Sequence, residues 1–155
     1  MSETRWLDHD EARAWRALQF MQMRLETELT RQLATDSSLS LQDYVVLVAL
    51  TDETDRRLRA FELADLIGWD KTRLSHHVKR MVDRGLVTKE NCPSDRRGFF
   101  VVATDRGRRE IEGAAPSHVS SVRRLFLDLV EPAELAVIAD VAERVLAQLS
   151  KRNTG

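Results

Sequence analysis

Seven residues between Lys71 and Arg80 carry positive charge or directional hydrogen-bonding groups: Lys71, Thr72, Arg73, Ser75, His76, Lys79 and Arg80. Interleaved with them, Leu74, Val78, Met81 and Val82 recur at the three-to-four spacing of one helical face. A helix of this pattern turns cations and hydrogen-bonding groups outward and apolar groups inward. That chemistry suits a polyanion whose edges also offer donors and acceptors, as a DNA duplex does: cations neutralise phosphates while planar or hydroxyl groups read base edges. Groove-reading groups lie towards the N-terminal half of such a helix. Arg73, Ser75 and His76 are therefore the candidates for base edges, Arg73 having the fork for a bidentate guanine pair, and Thr72 and Lys79 suit phosphate better. Each of these side chains alone would equally be an ordinary solvated surface group, and only their clustering after a tight turn sets them apart. His77 falls between the two faces and reads as a partly packed histidine, and Asp70 as the helix cap.

A second cluster, Asp95-Arg96-Arg97-Gly98, lies within the segment from Cys92 to Gly98 that joins two β-like runs, Leu86 to Asn91 and Phe99 to Ala103. A hairpin with a basic tip can enter a minor groove, where narrow A/T-rich stretches concentrate negative potential. Asp95 would repel phosphate there unless it pairs with an arginine and fixes its direction, so an orienting role is expected of it. Cys92 is read as an inert residue of this hairpin, the alternative being a redox sensor. No glycine-rich phosphate loop, metal-ligand cluster or nucleophile elbow accompanies these groups, and the histidines are scattered at His9, His76, His77 and His118. No enzyme, cofactor or metal site is expected.

The charge distribution supports the same segment. The net charge of the 155 residues is only −1, but Arg56 to Arg109 holds 14 Lys/Arg against 7 Asp/Glu, net +7, and the remainder 10 against 18, net −8. A basic middle inside an acidic whole is compatible with a nucleic-acid face. With Cys92 as the single cysteine and no apolar stretch of membrane-spanning length, a reducing, cytoplasmic setting is expected.

The elements that must position these groups follow from periodicity. Ala14, Leu18, Met21, Leu25 and Leu29 predict an amphipathic helix over about Asp10 to Gln32, with Trp15 and Phe20 beside the stripe. Ser40-Leu-Gln-Asp43 resembles a capping box opening a second helix, which stops at the polar run Thr51 to Arg57. Helical segments Ala60 to Ile67 and Asp70 to Arg84 follow, separated only by Gly68 and Trp69, the spacing of a helix-turn-helix. After the hairpin, Thr104-Asp105 caps a helix running towards Val130 that Pro116 should kink or interrupt. A last helix from about Pro132 repeats Leu135, Ile138, Val141, Val145 and Leu149. Apolar stripes this long at both ends of a small central domain suggest pairing with a second copy, the alternative being that they wrap a monomeric core.

The segment Asp95 to Thr104, with Asp-x-Arg followed by an apolar strand and Ala103-Thr104, resembles the wing signature of the MarR family of bacterial transcription regulators, Ala103 standing where the family has Leu. Gly85-Leu86-Val87 is similar to the family's step from recognition helix into wing, and Glu134-Leu135 to the start of its final helix. The resemblance implies a mainly α, winged helix-turn-helix fold in a single domain, 1–155. In it, 40–104 would form the DNA-binding lobe, and 10–35 and 105–150 the dimerisation helices. It further implies a homodimer on a pseudo-palindromic operator, with each recognition helix in a major groove and Arg97 in a flanking minor groove. A repressor released by a small aromatic ligand is the function implied, with Trp15, Phe20, Tyr44 and His118 as candidate pocket residues, although core packing is the plainer reading of those four. The N-terminal cysteine of peroxide-sensing relatives is missing, so thiol sensing is not expected. A winged-helix module docking protein or RNA is the competing reading, and a weak response to salt would distinguish it.

Overall fold

The computed structural model describes residues 2–152, the side chains of 95–97 and 151–152 excepted. Three helix starts are fixed by local chemistry. The Asp8 carboxylate accepts the Glu11 N–H at 2.8 Å, and Glu11 accepts the Asp8 N–H at 3.0 Å, opening α1 (His9–Asp36). Ser40 and Asp43 form the anticipated capping box of α2 (Leu41–Thr51), with reciprocal bonds of 3.0 and 2.9 Å. Thr104 caps α5 (Asp105–Leu125) by accepting the Gly107 N–H at 3.0 Å. Between them lie β1 (Arg57–Arg59), α3 (Ala60–Ile67), α4 (Lys71–Asp83), β2 (Val87–Cys92) and β3 (Asp95–Ala103). A 3-10 turn (Leu127–Leu129) and α6 (Pro132–Arg152) complete the order.

The sheet is antiparallel in the order β1-β3-β2, with Leu58 opposite Val101 and Thr88 opposite Val102. Strand β1 was not anticipated, because three residues in the sequence Arg-Leu-Arg are too few for a period-2 pattern to stand out from a polar turn. It adds a third strand that ties the entry of α3 to the wing. The hairpin is also tighter than expected: it turns at Pro93-Ser94, so Asp95 to Gly98 belong to β3. Asn91 pairs with Phe99 but Cys92 with Asp95, and the register therefore skips Arg96, Arg97 and Gly98 as a bulge.

Three helix expectations are corrected. Helix α1 continues to Asp36, one turn beyond Gln32. Helix α5 passes through Pro116 without interruption and stops at Leu125 rather than near Val130. Proline forfeits the bond to the Glu112 carbonyl, but both residues are exposed, so the helix loses that bond on its solvent side rather than in the core. Val82, expected inside, lies on the flank of α4 and is 37% exposed.

One apolar core gathers Leu33 of α1, Val46, Leu47 and Leu50 of α2, Leu63 of α3, Val78 and Met81 of α4, and Val87 and Val101 of the sheet. Gly107 lets the first turn of α5 close on this core, since a Cβ there would overlap the Leu86 carbonyl oxygen. Outside the core, α1 exposes Trp15, Phe20 and Met23, and α6 exposes Val137, Val145, Leu146 and Leu149. Among the described residues no helix is long and apolar enough to cross a membrane.

Candidate nucleic-acid interface

Helix α3 ends on Gly68, whose φ of 72° is the left-handed conformation that glycine adopts without Cβ strain. The Trp69 N–H returns to the Ala64 carbonyl at 3.0 Å, and Asp70 then caps α4 by accepting the Arg73 N–H at 2.7 Å. The turn therefore has no slack, and it sets the azimuth of every side chain on α4. Leu74, His77, Val78 and Met81 point into the core, while Lys71, Thr72, Arg73, His76, Lys79 and Arg80 are exposed and Ser75 is half-buried.

Six residues, Asp70, Lys71, Thr72, Arg73, His76 and Arg80, line one shallow concavity over the first three turns. Among the described residues none of Lys71, Arg73, Lys79 or Arg80 has a carboxylate within ion-pair distance. By contrast, Arg56 pairs with Asp105 at 3.1 Å, Arg59 with Glu62 at 3.8 Å and Arg84 with Asp43 at 2.6 Å. The outward face of α4 thus holds cations without a carboxylate partner among the described residues, beside hydroxyl and imidazole groups that can accept or donate.

Beneath this face lies a polar group that sequence reasoning missed. Asp43 is fully buried; its Oδ1 is 3.0 Å from His77 Nε2 and its Oδ2 accepts from Arg84, whose second nitrogen donates to the Ser38 carbonyl at 2.7 Å. Burial alone would raise the Asp43 pKa. The His77 ring beside it, hydrogen bonds from the Ser40 N–H and Arg84, and the charge of Arg84 overcome that and hold the carboxyl well below the usual carboxylate range. The group ties the first turn of α2 to the middle and the C-terminal end of α4. His77 is packed as expected, but its function as a clasp was not visible because its partners lie far away in sequence.

The wing flanks this face. Arg57 and Arg59 of β1 stand over the Phe100 ring at 4.3 and 5.5 Å, and Lys89 over Phe99 at 4.8 Å. These cations at the base of the wing were not singled out from sequence, since β1 was not. The side chains of Asp95, Arg96 and Arg97 lie outside the described residues. Cys92 is buried with Sγ 3.2 Å from Ser94 Oγ.

The four candidate pocket residues are divided. The Tyr44 and His118 rings meet at 4.1 Å between α2 and α5 with their planes tilted by 40°, His118 Nδ1 lies 3.0 Å from Gln32 Oε1 of α1, and burial raises the pKa of the phenol and lowers that of the imidazole. Trp15 and Phe20 are 53% and 63% exposed on α1 and do not join them.

A model of the MarR family matches residues 37–98, from the end of α1 into the wing. AbsC, a MarR family transcriptional regulator from Streptomyces coelicolor, is 38% identical over 94% of this chain and 98% of its own, with a TM-score of 0.86. Sco3205, a MarR family transcriptional regulator from the same organism whose structure is in complex with DNA, is 36% identical over 94% of this chain and 91% of its own, also at 0.86. CouR from Rhodococcus jostii RHA1 shares the fold at 22% identity and a TM-score of 0.74. With a helix-turn-helix, a wing and these relatives over nearly its whole length, the chain belongs to the MarR family of transcriptional regulators.

Proposed function

We propose that the protein is a homodimeric, sequence-specific DNA-binding transcription regulator that represses from a pseudo-palindromic operator and acts by binding rather than by catalysis. The observation that carries this reading is the unneutralised cationic face on the first turns of α4. Arg73, Ser75 and His76 read base edges in the major groove, with Lys71, Thr72, Lys79 and Arg80 on phosphates. The wing, with Arg97 at its bulge steadied by Asp95 and with Arg96 beside it, enters the neighbouring minor groove. The complex of Sco3205 with DNA supports DNA as the partner of this face.

Residues 40–104 form the DNA-binding lobe, and the helices of 10–35 and 105–150 pair two copies. The exposed apolar stripes of α1 and α6 favour that pairing, since a second copy would cover them. A small aromatic effector fits the junction of lobe and pairing helices at Tyr44 and His118, with Trp15 and Phe20 joining only if the second copy encloses them. CouR, a protein of the same fold, is bound to p-coumaroyl-CoA. The setting is the cytoplasm, in keeping with a single cysteine.

Selection of bound duplexes from a random pool tests the whole reading. A palindromic consensus with two half-sites one helical turn apart is expected, and recovery of no consensus would overturn it. On the selected duplex Arg73→Ala should weaken binding by about 1 to 3 kcal/mol and relax the preference at one base pair, whereas Lys79→Ala weakens all duplexes alike.

A further inference from the structure

We propose that Trp69 is a positioning residue for sequence readout: its indole face holds the Arg73 guanidinium in the direction from which that group reads a base. This rests on the assignment of Arg73 as a base reader. The guanidinium carbon of Arg73 lies 4.4 Å from the Trp69 ring centroid. Among the described residues no carboxylate competes for it, and the nearest acid in sequence, Asp70, is occupied as the cap on the Arg73 N–H at 2.7 Å. A guanidinium stacked by its face keeps its N–H groups free in its own plane, so the contact with tryptophan does not consume the donors a guanine edge needs.

The ring is itself held. Trp69 follows Gly68 in a tight turn, its backbone N–H is bonded to the Ala64 carbonyl at 3.0 Å, and its side chain packs half-buried against the core. The His77 ring meets it edge-on at 5.3 Å, and His77 is clasped by the buried Asp43 at 3.0 Å. A chain of contacts therefore runs from the interior of the lobe through His77 and Trp69 to the tip of Arg73. An arginine on such a support loses less conformational freedom on binding a base than one free in solvent.

The test uses the full-length protein, the duplex enriched from a random pool, and a scrambled duplex of the same composition. Trp69→Leu, which keeps apolar volume but has no π face, should lower the preference for the enriched duplex about tenfold, and Trp69→Phe should lower it less. In an Arg73→Ala background Trp69→Leu should cause no further loss of preference. A general packing defect would instead add its loss on top of Arg73→Ala. If Trp69→Leu does not fold, Trp69→Phe carries the test, with a smaller loss that also vanishes in the Arg73→Ala background. Full preference in the Trp69 variants while Arg73→Ala loses it would overturn the proposal alone. Full preference in Arg73→Ala would overturn the base-reading assignment and this proposal with it.

Discussion

The lobe built from α2 to β3 and the terminal helices α1 and α6 carry similar amphipathic patterns and meet opposite fates. In the lobe Leu47, Leu50, Leu63, Val78 and Met81 are completely sealed, whereas Ile138, Val141, Val145 and Leu149 of α6 remain 41–53% exposed. A periodic stripe records that a face must be covered, but it does not record by what. In the lobe the cover is supplied by the same chain, whereas on α6 the described residues leave the stripe open, and in the proposed dimer a second copy would cover it.

The largest effect that would sharpen this contrast is expected from the interior of the lobe. Asp43→Ala removes the buried carboxylate that faces His77 at 3.0 Å, accepts the Ser40 N–H and pairs with Arg84, and should cost about 3–5 kcal/mol of unfolding free energy in urea titration. A loss below about 1 kcal/mol would show that the clasp does not hold α2 to α4. Gly107→Ala should follow at about 1–3 kcal/mol, since the new methyl group meets backbone that cannot yield. An unchanged melting temperature would contradict the close approach of α5 to Leu86.

On the terminal helices, Val141→Glu should leave the secondary structure intact at high concentration but shift the monomer–dimer equilibrium towards monomer by about tenfold or more in sedimentation. If the variant stays dimeric at the lowest concentrations measured, α6 is not the covered face. The smallest effect belongs to the junction between the two regions. Burial lowers the pKa of His118 below its ordinary 6.5, so the unfolded chain takes up a proton that the folded chain refuses. The contribution of the neutral ring is complete above pH 6.5 and declines as the pH falls below it. The urea midpoint of His118→Gln should therefore depend less on pH between 7.5 and 5.5 than that of the parent, and equal slopes would remove the linkage.

Much of the candidate interface could be read from sequence because it is local. Asp70, Gly68 and the alternation of Leu74 and Val78 with charged residues all act over a few helical turns, and the Ser40–Asp43 capping box spans four residues. The features that escaped are those made by distant partners. Arg57 and Arg59 acquire meaning only when β1 pairs with β3, more than forty residues later. The burial of Asp43 depends on His77 and Arg84, and nothing in a Ser-Leu-Gln-Asp box distinguishes a solvated cap from a buried anion. Gly107 looks like an ordinary polar-run glycine until the Leu86 carbonyl is placed against it. Pro116 failed as a breaker for a related reason, since its consequence depends on whether the freed carbonyl faces water.

The uncompensated cations of α4 also bear on how the protein behaves in bulk. With a pI near 6.4 it migrates as an anion at pH 8, yet the α4 side of it stays positive there because Lys71, Arg73, Lys79 and Arg80 have no carboxylate partner among the described residues. Such a particle is a dipole rather than a uniform polyanion. It should be retained by sulfonate and heparin columns as well as by quaternary-amine ones, and the salt that releases it from the first two measures the strength of a single face.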